Sequence, residues 1–130
     1  VSPQELLEEA RRASRFAYAP YSSFPVGAAL LGVGGRVYRG CNVENASFSL
    51  TLCAERVALG RAVAEGERSF SALAVFSPAR APLFPCGACL QALAEFAPEL
   101  QVVVEEGEAR IFPLSRLFPR PFRWGSGSGI

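Results

Sequence analysis

Two short segments constrain this chain more than any others. Cys53-Ala54-Glu55 and Pro85-Cys86-Gly87-Ala88-Cys89 each stand at the head of an apolar pattern with helical spacing. A fold that brings the two heads together gathers three cysteines and a glutamate at one point. The residue types the chain lacks give that gathering its weight. It has no histidine, its thirteen basic residues are all arginine, and its twelve acidic residues are all glutamate. There is thus no imidazole base, no lysine for a Schiff base and no aspartate pair. Proton transfer falls to a glutamate, and any metal site must be built from thiolates.

A length of 130 residues fits one domain with a real hydrophobic core. We read residues 1–124 as that domain and 125–130, rich in Gly and Ser, as a flexible tail. Half of the chain is apolar, in short blocks, and no run approaches the roughly 20 apolar residues of a membrane span. The acidic, amphipathic N-terminus is unlike a signal peptide. These features predict a soluble cytoplasmic protein without a membrane partner. A net charge of +1 with no basic cluster argues against a nucleic-acid partner held by many phosphate contacts. Four cysteines without an export signal point to metal or redox chemistry rather than disulfides.

Asn, Gln, Met and Thr are scarce while Arg, Glu, Pro and Ala abound, a bias shared by thermophile proteins and GC-rich genomes. Against it, the two asparagines, Asn42 and Asn45, fall within four residues of each other, with the single threonine, Thr51, close by. Survivors of such a bias are candidates for a specific task, although turns also favour Asn.

Ser2-Pro3-Gln4-Glu5 reads as a helix start with a capping box, and Leu6, Leu7, Ala10, Ala13 and Ala17 carry that helix to about Tyr18. A loop with two prolines follows, Ala19 to Pro25. Val26–Leu31 and Arg36–Gly40, joined by Gly34-Gly35, make a β-hairpin. Residues 42–52 are polar and irregular. A second helix spans Cys53 to about Glu65, with Gly66 just past its end. Strands at Ser71–Ser77, Gln101–Val104 and Arg110–Pro113 surround a third helix from Gly87 to about Phe96. This alternation predicts an α/β fold, a three-layer α/β/α sandwich around a mixed five-stranded sheet.

Cysteines at helix N-termini are stabilised as thiolates by free N–H groups and the helix dipole. Cys86 and Cys89, three apart, point the same way and can grip one ion with Cys53. Three protein ligands leave a fourth position open, the mark of a catalytic zinc. Three thiolates on Zn²⁺ carry a net charge of −1, and Arg56 is placed to offset it by hydrogen-bonding sulfur. Glu55, two residues from Cys53, is the candidate catalytic acid and base. Other arrangements stay open on these residues alone: a Cys-x-x-Cys redox pair, or a closed structural zinc completed by Cys41. We assign Cys41 as a buried free thiol, because it precedes the polar loop rather than a helix.

In order along the chain, Ala19-Pro20-Tyr21-Ser22-Ser23-Phe24-Pro25-Val26-Gly27-Ala28-Ala29, Gly40-Cys41-Asn42-Val43-Glu44-Asn45-Ala46-Ser47, Cys53-Ala54-Glu55-Arg56, Pro85-Cys86-Gly87-Ala88-Cys89 and Leu117-Phe118-Pro119-Arg120-Pro121-Phe122 resemble the cytidine deaminases of the small, all-cysteine zinc type. The resemblance implies zinc-dependent hydrolysis of cytidine and 2′-deoxycytidine to uridine and 2′-deoxyuridine plus ammonia, in pyrimidine salvage. It implies one zinc per subunit on Cys53, Cys86 and Cys89. Glu55 would shuttle protons to ring N3 and then to the departing amine. It further implies ribose contacts from Asn42 and Glu44, stacking of Phe24 on the pyrimidine, and backbone contacts from Ala54. Phe122 would reach a neighbouring subunit's site within a homotetramer that shares its active sites. The chain departs from the family at Leu90, where arginine is usual, and at Phe48, where tyrosine is common. Arg120-Pro121 looks like an insertion. A deaminase of other aminopyrimidines is the rival within this chemistry. A polynucleotide editor would need a basic groove and extra loops, and the chain has neither.

Overall fold

The computed structural model describes residues 1–125, so the Gly/Ser tail beyond lies outside the described residues. Helix α1 spans Pro3–Ser14, and Ser2 caps it as the sequence predicts. The Glu5 N–H donates to Ser2 Oγ at 3.0 Å and the Ser2 N–H to Glu5 Oε1 at 2.7 Å. Strands β1 (Gly27–Gly32) and β2 (Val37–Cys41) form the expected hairpin. Helix α2 (Ala54–Ala64), strand β3 (Phe70–Phe76), helix α3 (Gly87–Phe96) and strands β4 (Gln101–Glu106) and β5 (Glu108–Pro113) follow, then a short helix α4 (Leu114–Leu117).

The sheet order is β2-β1-β3-β4-β5, with β3 and β4 parallel and every other pair antiparallel. Period-2 alternation separates its two faces. Ala29, Ala72, Ala74 and Val103 pack with Leu6, Leu7 and Ala10 of α1. Ala28, Leu30, Leu73, Val75, Val102 and Val104 face the other way, against Ala54, Ala58, Leu90 and Leu93 of α2 and α3. The result is the predicted α/β/α sandwich around a mixed five-stranded sheet. Shortening a central side chain such as Leu73, fully buried, costs about 2–5 kcal/mol.

Three differences from the sequence reading have physical causes. Helix α1 stops at Ser14 rather than near Tyr18. The backbone of Tyr18 is engaged elsewhere: its N–H donates to the Asn42 carbonyl at 3.0 Å, and its carbonyl accepts from the Glu44 N–H at 2.9 Å. Strands β4 and β5 run further than expected because they form a hairpin that stays paired to Glu106 and Glu108. Helix α4 is a single turn that periodicity cannot reveal; Leu114 anchors it, buried, with its N–H on the Leu100 carbonyl at 2.8 Å.

The topology sets the position of the functional groups. Strands β2 and β3 are both antiparallel to β1, so they point the same way and end at the same side of the sheet. The helices that follow them, α2 and α3, therefore both begin at that side. Gly40 permits a close fit there. A Cβ at this position would lie 2.4 Å from the Ala58 nitrogen and 2.5 Å from the Ala54 carbonyl oxygen. The first turns of α2 thus rest directly on β2.

Candidate active site

Cys53 and Cys86 are the N-cap residues of α2 and α3, and Cys89 lies in the first turn of α3. Neither N-cap sulfur accepts from a backbone N–H of its own helix. The three Sγ atoms instead lie within 4.8 Å of one another. Cys41 is not part of this cluster; it ends β2 as a half-buried free thiol, less enclosed than expected, because it stands at an edge strand.

The electrostatics of the trio are those of a site built for a cation. Cys53 is pulled down to about 5 by a hydrogen bond from the Cys89 thiol and by Arg56. Cys89 is pushed up, since its proton is held between two sulfurs and it is buried. Arg56 Nη2 donates to Cys53 Sγ at 3.5 Å, while its buried Nε finds no partner among the described residues. A guanidinium committed to sulfur in this way suits an anionic metal–thiolate cluster. The donor set therefore fits zinc: three soft ligands, a cation beside them, and room for a fourth ligand.

Glu55 is buried at the second position of α2, and burial raises its carboxyl to about 7. With Asn42, Ala54, Cys53, Cys86 and Phe84 it lines a cavity of about 190 Å³. Phe84 was not singled out in the sequence; its signal is an aromatic just before Pro85-Cys86, and its ring packs edge-on against Phe112 at 5.2 Å. A larger hollow of about 430 Å³ lies between α1, β2 and α2 and includes Cys41, but it holds neither the thiol trio nor a buried carboxyl.

The sequence-predicted substrate residues fall into three groups. Ala54 lines the cavity and is fully buried. Asn42 and Glu44 are both buried, and both grip the loop that carries Phe24. Asn42 Nδ2 donates to the Phe24 carbonyl at 2.9 Å and its Oδ1 accepts from the Val26 N–H at 2.8 Å. Glu44 accepts from the N–H groups of Tyr21 (3.0 Å) and Ser22 (3.2 Å) and from the Ser22 hydroxyl. The Ser22 hydroxyl bond, with those N–H groups, holds the Glu44 carboxyl below its usual range. The scarce residues Asn45 and Thr51 shape the same region. The Asn45 N–H donates to Thr51 Oγ1 and the Ser47 N–H to Asn45 Oδ1. Phe122 stands apart on the surface, 69 % exposed, and does not reach the cavity of its own chain. The two departures noted in the sequence also separate. Leu90 is buried in the core, where an arginine would need a partner. Phe48 is exposed and stacks edge-on with Tyr21 at 6.0 Å.

No helix among the described residues is long and apolar enough to cross a membrane. Residues 2–105 match the family described as the cytidine and deoxycytidylate deaminase zinc-binding region. The chain is 47 % identical over 122 residues to a cytidine deaminase of Halalkalibacterium halodurans, covering 92 % of each. It is 54 % identical over 93 residues to one from Sporosarcina psychrophila, covering 72 % of this chain and 68 % of the relative. The crystal structure of the cytidine deaminase of Burkholderia pseudomallei superposes with a TM-score of 0.88 at 46 % identity, covering 94 % of this chain and all of the other. With its thiol trio and adjacent carboxyl, the chain belongs to the zinc-binding cytidine and deoxycytidylate deaminase family.

Proposed function

We propose that this chain deaminates cytidine and 2′-deoxycytidine by hydrolysis, with Cys53, Cys86 and Cys89 holding one zinc and Glu55 carrying the protons. Zinc dependence and hydrolase chemistry follow from the family. The observation that carries the reading is a buried carboxyl in one small cavity with two of three clustered thiols. Bound there, zinc supplies a Lewis acid that makes water acidic near neutral pH. The protein's own groups do the rest. Glu55 takes a proton from the attacking water as oxygen adds to C4 of the ring, and delivers it to N3. It then carries a second proton to the amine as the C4–N bond breaks, so that ammonia leaves and a C4 carbonyl remains. Arg56 balances the thiolates throughout.

Asn42 and Glu44 are the proposed ribose contacts, Phe24 the stacking ring and Ala54 the backbone contact to the base. The cavity is small beside the roughly 300–1,000 Å³ of most ligand sites. Its wall residue Leu52 is exposed, as are nearby Phe48 and Leu50 in the chain. These features support a homotetramer in which a neighbouring chain, through Phe122, completes the site. The need for free thiols favours a reducing, cytoplasmic setting.

The test is a deamination assay with cytidine and 2′-deoxycytidine, following ammonia and ultraviolet absorbance before and after zinc removal, with light scattering for assembly. Rapid zinc-dependent conversion by a four-chain assembly is expected. Folded, zinc-loaded protein that leaves both nucleosides unchanged would refute the reading.

A further inference from the structure

We propose that Gln91 is a positioning residue that fixes Phe122 for use by a second copy of this chain; the inference rests on the reading of Phe122 given above. Gln91 Nε2 donates to the Phe122 carbonyl at 2.9 Å, and the Phe122 N–H donates to Gln91 Oε1 at 2.9 Å. One side-chain amide thus satisfies both backbone groups of one residue, as a strand neighbour would. The clamp reads backbone only, and Phe122 stays 69 % exposed.

The flanking sequence makes this single fastening effective. Pro119 and Pro121 have fixed φ angles and no N–H, so the stretch is stiff and short of other donors. Pinning Phe122 therefore sets the direction of the whole segment. The clamp also ties that segment to the site, because Gln91 sits on α3, two residues beyond the thiol Cys89. A ring whose backbone is already ordered loses less freedom when it docks. The helix that presents two thiols to its own site thereby presents an aromatic ring to the next one.

The test compares Gln91→Met, Phe122→Ala and the double variant in the zinc-loaded protein. Methionine matches glutamine in length and helix propensity but cannot make the bond pair. Each single change is expected to raise KM for cytidine about tenfold with kcat within about twofold, as for lost substrate binding. Zinc content should not move, and the double variant should be no worse than Phe122→Ala alone. Trp124, the chain's single tryptophan, lies two residues from Phe122 and is 90 % exposed. Its fluorescence anisotropy should fall in Gln91→Met, and unchanged anisotropy would refute the clamp. If Phe122→Ala raises KM while Gln91→Met does not, or if the two effects add, the clamp is refuted and the shared site stands. If Phe122→Ala leaves KM unchanged, the shared-site reading of Phe122 fails and the clamp falls with it.

Discussion

At the thiol end of the cavity every group comes from a helix N-terminus: Cys53, Ala54 and Glu55 from α2, Cys86 and Cys89 from α3. At the rim the groups come from loops and are held by side chains bonding backbone, as Asn42 and Glu44 bond the Phe24 segment. The first region is positioned by the helices that the sheet sets side by side, with Arg56 bonding one sulfur. The second is positioned by a few hydrogen bonds, each of which can be removed. On the proposed reading, the difference separates what the site does to a substrate from how it recognises one. Changes at the thiol end should abolish chemistry, and changes at the rim should weaken binding and stability by increments.

Four experiments can break or sharpen that division. Cys86→Ala should lose zinc and all measurable turnover, read by metal analysis beside the deamination assay. Glu55→Ala should keep its zinc and its fold, yet lose on the order of 10³–10⁴-fold in kcat. Turnover close to that of the unaltered protein would remove Glu55 from the chemistry. Asn42→Ala strips partners from the Val26 N–H and the Phe24 carbonyl. It should cost about 1–3 kcal/mol in denaturant unfolding and raise KM more than it lowers kcat. A pure kcat loss with unchanged stability would contradict its place at the rim.

Ser22→Ala should have the smallest effect, a loss of stability present near neutral pH that fades in acid. The Ser22 hydroxyl bond and two N–H groups lower the folded-state pKa of Glu44 below 4.5. The stabilisation is therefore present above the unfolded value and lost as pH falls through the lower folded one. Removing the hydroxyl should lower stability slightly near pH 7, with the loss shrinking as pH falls and Glu44 takes up its proton, so that the midpoint of acid unfolding moves to higher pH. A shift to lower pH would mean that the hydroxyl does not favour the charged carboxylate.

The thiol end was legible in the sequence because its geometry follows from local rules. Cysteines at helix heads, three apart on α3, meet whenever two such helices begin on the same side of a sheet. The span of α3, Gly87–Phe96, is the one the sequence predicts. The rim was less legible, since its contacts join residues far apart in the chain, such as Ser22 with Glu44 and Gln91 with Phe122. The scarcity of Asn and Thr did point to Asn42, Asn45 and Thr51, and all three hold loop backbone or one another. It could not say that Asn42 spends its amide on the Phe24 loop. The early end of α1 was hidden for the same reason, because the competitor for Tyr18 is a strand-like pairing with residues 42–44.

Gly40 touches none of the sulfurs, yet its bare backbone decides how far apart they stand. A side chain there would collide with the α2 backbone at Ala54 and Ala58, so strand and helix would have to part, and Cys53 stands at the head of that helix. The spacing of the thiol trio thus depends partly on an absent methyl group. A change as mild as glycine to alanine, thirteen residues of chain before the nearest proposed zinc ligand, should act as a metal-affinity mutation.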